Sequence, residues 1–117
     1  HSRSMSVTIY HTPRCSTSRN ALAAIRDAGV EPTIVPYLTT PPDEATLRAL
    51  ISDAGLTPRT AVRKRETLYK ELDLANADDE TVLRAMLTHP VLIERPFVVG
   101  EKGTVLARPA ATVSTVL

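Results

Sequence analysis

Val7-Thr8-Ile9-Tyr10, then His11-Thr12-Pro13-Arg14-Cys15-Ser16, then Thr17 to Ala28, is the stretch whose reading decides the fold. Residues 7–10 alternate apolar and polar side chains and are rich in β-branched types, which marks a strand. His11 to Ser16 is a polar turn. Thr17 to about Ala28 has helical spacing, with Leu22 and Ile25 on one face and Gly29 as the stop. Working outward, Thr33 to Leu38 is a second strand. Pro32 and Pro36 predict that it lies at a sheet edge, because proline cannot donate to a ladder on both sides. The result is a βαβ unit with Cys15 at the strand-to-helix turn.

Further along, Asp43 is placed to cap a helix whose Leu47, Leu50, Ile51 and Ala54 form one apolar stripe, ended by Gly55. Thr57-Pro58 opens a short helix reaching about Arg63. Asp78 or Asp79 caps another, carrying Val82, Leu83, Met86 and Leu87. Pro96–Val99 and Thr104–Ala107 read as strands of a hairpin around Gly100-Glu101-Lys102-Gly103, and Pro109–Leu117 as a short last helix. A βαβ unit with cysteine at its turn, a helical stretch, then a ββα unit is a thioredoxin-like plan. The fold class is therefore α/β, with a helical insertion between the two units. His1-Ser2-Arg3-Ser4 before Met5 reads as a tag remnant, leaving one domain over 5–117.

Composition narrows the function. The chain has 117 residues with 43% hydrophobic but only 3% aromatic side chains, so the core is aliphatic and base stacking is disfavoured. A net charge of +1, from 14 basic and 13 acidic residues, argues against a general nucleic-acid or membrane-surface binder. No apolar run suits a membrane span. One cysteine cannot form an internal disulfide and suits the reducing cytoplasm. Three separated histidines and one cysteine offer no metal-ligand spacing.

Cys15 carries the chemistry. At a helix start, unpaired backbone N–H groups and the helix dipole favour a thiolate, which is the nucleophilic form. The same N–H groups suit an anion. Ser16, Thr17 and Ser18 add hydroxyls, and Arg19 adds charge, so this turn is the expected oxyanion loop. The phosphatase pattern of Cys, five residues, then Arg is excluded, because Ala21 stands at the sixth position. Cys15-Ser16-Thr17-Ser18 equally excludes a CxxC dithiol.

Residues Tyr10 to Asn20, Pro41-Pro42, Val62-Arg63-Lys64, His89 to Pro96 and Ala107-Arg108-Pro109 together resemble the glutaredoxin-coupled arsenate reductases, in register over nearly the whole chain. The resemblance implies that Cys15, Arg63, Arg95 and Arg108 are catalytic, the arginine forks matching a tetrahedral oxyanion. It places His11 near the thiol, helping to keep it ionised, and implies a cis peptide at Pro96. The implied reaction is arsenate reduction to arsenite through a Cys15–arsenic adduct. Glutathione is the co-substrate, glutaredoxin the protein partner, and no cofactor is bound; a monomer is expected. Arg14 has no implied role. The alternatives are a redox-responsive regulator that binds a polymerase, or another thiol oxidoreductase of the same fold, such as a monothiol glutaredoxin. The absent CxxC counts against the regulator. Arg95-Pro96 and the insertion count against the glutaredoxin.

Overall fold

The computed structural model describes residues 6–117. Residues 1–4, read as a tag remnant, lie outside the described residues. The chain divides into two compact units, one holding residues 6–40 and 95–117 and the other Pro41–Glu94.

The first unit is built on a four-stranded sheet in the order β2-β1-β3-β4. Strand β1 (Thr8–His11) pairs in parallel with β2 (Thr33–Pro36), and antiparallel with β3 (Phe97–Gly100), which pairs in turn with β4 (Gly103–Leu106). β2 is an edge strand, as its prolines predicted. It ends at Pro36 rather than Leu38, because the Pro36 carbonyl accepts the N–H groups of Thr39 and Thr40 and turns the chain. β3 starts one residue later than expected: Pro96 has no N–H to donate and joins the sheet only by accepting from Ala107. The Arg95–Pro96 peptide is cis, and so is Arg108–Pro109.

Helix α1 (Ser16–Asp27) and the C-terminal 3-10 helix (Ala110–Thr115) pack together on the sheet. Val7, Ile9, Ala21, Ile25, Val98, Val113 and Val116 make the aliphatic core between these layers. The last helix is 3-10 because Thr112, Ser114 and Thr115 turn their hydroxyls back onto the carbonyls three residues earlier. Gly29 ends the α1 segment at φ +83°, a conformation that costs other residues about 1 kcal/mol or more.

The regular elements of the insertion are helices. Asp43 caps α2 (Glu44–Asp53) and Asp78 caps α5 (Asp79–Thr88), each carboxylate accepting the N–H three residues on. Between them lie α3 (Pro58–Ala61), α4 (Thr67–Glu71) and a 3-10 turn (Leu74–Asn76). α3 stops at Ala61, short of the expected Arg63, because Val62 turns extended and bridges Ile93. α4 and the 3-10 turn have no apolar stripe and were not evident from periodicity. The expected stripe is buried at Leu47, Leu50 and Ile51, and the one on α5 at Val82, Leu83 and Met86. No helix of the described residues is long and apolar enough to cross a membrane.

Candidate functional site

β1 delivers the chain to the end of the sheet, and the Thr12–Cys15 turn redirects it into α1. Cys15 is the N-cap, with extended φ and ψ (−101°, 122°) and its own N–H donating to the Thr12 carbonyl. Its free thiol is half-buried. Burial alone pushes the thiol pKa up. The Ser18 N–H, the Arg108 side chain and the Thr17 N–H outweigh it, holding the thiol below its ordinary value. Arg108 Nη1 stands 3.9 Å from Sγ and also donates to the Arg95 carbonyl at 2.9 Å. Arg95 is itself buried, 6% exposed, with its guanidinium 5.7 Å from the Tyr37 ring centroid, a cation–π distance. One arginine thus touches the sulfur and is fixed by the backbone of the next.

Register sorts the charges of this unit. β1 ends, β2 ends, α1 begins and β3 begins at the Cys15 end of the sheet. Arg14, Arg19, Arg95 and Arg108 all belong to that end. The carboxylates of the unit's described residues are Asp27 at the end of α1, Glu31 before β2 and Glu101 in the hairpin turn, all at the opposite end. An anion approaching Cys15 therefore meets positive charge with no acidic side chain of this unit to repel it.

Ser18 differs from expectation. Its side chain is 0% exposed and points inward, accepting the Thr12 N–H at 3.2 Å and meeting His11 Nδ1 at 2.6 Å. It offers the thiol its backbone N–H, not its hydroxyl. His11 is likewise turned to Ser18. Burial, then the positive charges of Arg26 and Arg19, hold its pKa below the ordinary histidine value, so the ring is neutral near pH 7. A neutral ring accepting the Ser18 hydroxyl on Nδ1 leaves the Ser18 oxygen free to accept the Thr12 N–H. His11 is thus tied to the turn through Ser18 and is not among the groups that lower the thiol pKa. The Arg19 guanidinium donates to the Pro13 carbonyl at 2.6 Å, bracing the turn. Ser16 is exposed and Thr17 partly so. The sequence carried no decisive signal for this Ser18 role: three residues past the N-cap, a side chain can point back toward the preceding strand or out to solvent.

Arg63 belongs to the second unit. Its N–H donates to the Leu92 carbonyl at 2.7 Å. Nε meets Glu66 at 2.8 Å and Nη1 meets Glu94 at 3.1 Å. Burial would loosen its proton, but the two carboxylates hold it charged. Among the described residues no cluster of three His, Cys, Asp or Glu could hold a metal.

A cysteine N-cap whose thiol pKa is lowered, an arginine on the sulfur and a second arginine before a cis proline coincide with a family profile: the ArsC family matches residues 10–116. The chain belongs to the ArsC family. It is 55% identical to an arsenate reductase of Rhizobium meliloti strain 1021, over 97% of this chain and 82% of that protein. It is 46% identical to the uncharacterized protein YfgD of Escherichia coli K12, over 88% of this chain and 89% of that one. The structure of an arsenate reductase from Vibrio cholerae superposes with a TM-score of 0.93 at 41% identity, covering 98% of this chain and 100% of that one. The thioredoxin-like fold expected from the order of elements is the fold of this ArsC chain.

Proposed function

We propose that this chain reduces arsenate to arsenite in the cytoplasm, with Cys15 as nucleophile and glutathione and glutaredoxin as electron donors. The observation that carries the reading is the Cys15 thiol, held below its ordinary pKa at a helix start with Arg108 3.9 Å from its sulfur, at the end of the sheet where the unit's described carboxylates are absent. The 41–55% identity to proteins named arsenate reductase supplies the substrate.

In the first step the thiolate attacks arsenic(V). A sulfur–arsenic bond forms, one arsenic–oxygen bond breaks, and the oxygen leaves as water after taking two protons. Arg95 and Arg108 hold oxyanion oxygens and balance the charge that builds on them. By the family resemblance, Arg63 is the third such arginine, kept charged and oriented by Glu66 and Glu94. Glutathione next displaces a second oxygen as water. A glutaredoxin thiolate then attacks the glutathione sulfur. The glutathione–arsenic bonding pair passes to arsenic, which becomes arsenic(III), and the two thiols leave as a mixed disulfide. Water releases arsenite and returns the Cys15 thiol. A chain with one cysteine has no partner thiol for an internal disulfide, so the second thiol comes from outside.

The test is speciation of arsenic after incubation with arsenate, glutathione and glutaredoxin, each donor omitted in turn. Arsenite formation that requires both donors supports the proposal. Arsenite formed as fast with thioredoxin in place of both overturns the donor assignment, and none under any donor overturns the activity.

A further inference from the structure

We propose that a cleft beside the catalytic turn seats the reductant, a peptide thiol bearing carboxylates; this rests on the reading of glutathione as electron donor. The cleft has a volume of about 340 Å³ and lies at the carboxyl ends of the parallel strands β1 and β2. Thr12, Pro13 and Arg14 form one wall, and Pro36, Leu38 and Thr39 the other. Its size falls within the range of small-ligand sites, roughly 300–1,000 Å³.

Three observations select the occupant. The lining is mainly apolar, with one cation at the rim, Arg14. Arg14 is exposed, and no carboxylate of the described residues pairs with it. Its three neighbours at this end are engaged: Arg19 on the Pro13 carbonyl, Arg108 on the thiol and the Arg95 carbonyl, and Arg95 over Tyr37. His11, also on the cleft, is held neutral. Arg14 is therefore the cation left over for a second anion once an oxyanion occupies the thiol. Finally, Arg14 directly precedes Cys15, which puts the cleft's cation and the nucleophile on the same turn. Glutathione carries two carboxylates, one of which can rest on Arg14, and its amides can meet the threonines of the two walls, Thr12 and Thr39.

The experiment titrates the full chain with S-methylglutathione, which binds without reacting, and follows backbone amide shifts. The expected shifts fall on Thr12, Arg14, Leu38 and Thr39, and the hairpin turn at Glu101 stays still. Arg14→Glu, an exposed change that leaves the core untouched, should weaken binding about tenfold by exchanging a charge-assisted contact for repulsion. Thr39→Trp, which fills the cleft from the other wall, should weaken it comparably. In turnover Thr39→Trp should raise the glutathione KM with little change in the arsenate KM, and Arg14→Glu should raise the glutathione KM by the larger factor of the two substrates. Shifts confined to residues around Pro96, or binding indifferent to both substitutions, would overturn the site. The outcomes separate from those of the activity: cleft shifts without arsenite formation keep the site and remove the substrate, whereas arsenite formation with normal glutathione dependence in both variants removes the site alone.

Discussion

Replacing Arg108 by glutamine should raise the Cys15 pKa by about 1–2 units. The guanidinium nitrogen stands 3.9 Å from Sγ. Two unit charges at that separation interact by about 1 kcal/mol in water and by roughly 4 kcal/mol at an effective dielectric constant near 20. The thiol is half-exposed, so the lower part of that range applies, and each pKa unit corresponds to about 1.4 kcal/mol. The N–H groups of Ser18 and Thr17 remain in the variant and continue to favour the thiolate. The assay is the rate of iodoacetamide alkylation against pH, followed by intact mass at the single cysteine, for the parent, Arg108→Gln and Arg108→Lys. Lysine should recover part of the shift, since it restores charge without the fork. The linkage has a definite sign. A thiol whose folded pKa is depressed contributes stability that is present above the unfolded pKa and is lost as pH falls through the folded one. Arg108→Gln should therefore lower stability at alkaline pH more than near neutrality. An alkylation midpoint identical in parent and Arg108→Gln would refute the placement of this arginine on the sulfur.

Ser18→Ala leaves the buried Thr12 N–H and His11 Nδ1 without their shared partner and should cost about 1–3 kcal/mol in urea unfolding; Ser16→Ala, at an exposed position, should be nearly silent. His11 has a folded pKa below its unfolded value, so its contribution is present above about pH 6.5 and is lost as pH falls through the folded value. Urea midpoints should drop on acidification from pH 7 and drop less in His11→Asn. Gly100→Ala should destabilise by roughly 1–3 kcal/mol, because a methyl there meets the backbone of Val116; a scanning-calorimetry midpoint equal to the parent's would show that this approach relaxes freely.

What was legible in the sequence follows the range of the interactions involved. Asp43 and Asp78 cap helices through bonds that close within three residues, and local spacing reveals those. Pro32 and Pro36 announced an edge strand because the missing donor is a property of the residue itself. The lowered thiol pKa of Cys15 was legible for the same reason, since a helix start is a local feature. The inward turn of Ser18 was not, because a hydroxyl at a helix start suits either solvent or a buried partner, and the choice depends on His11 arriving from β1. Nor was the contact of Arg108 with the sulfur visible without the family resemblance: the two residues are brought together only by the hairpin and its register. α4 escaped notice because Thr67–Glu71 has no buried residue to create a stripe.

The most direct test of the central claim is arsenite formation by purified Cys15→Ser beside the parent, with glutathione and glutaredoxin saturating and folding of both confirmed by circular dichroism. A serine hydroxyl at neutral pH is a far weaker nucleophile and cannot enter thiol exchange. The account predicts arsenite from the parent and none above background from the variant. Near-equal arsenite formation by a well-folded Cys15→Ser would contradict it.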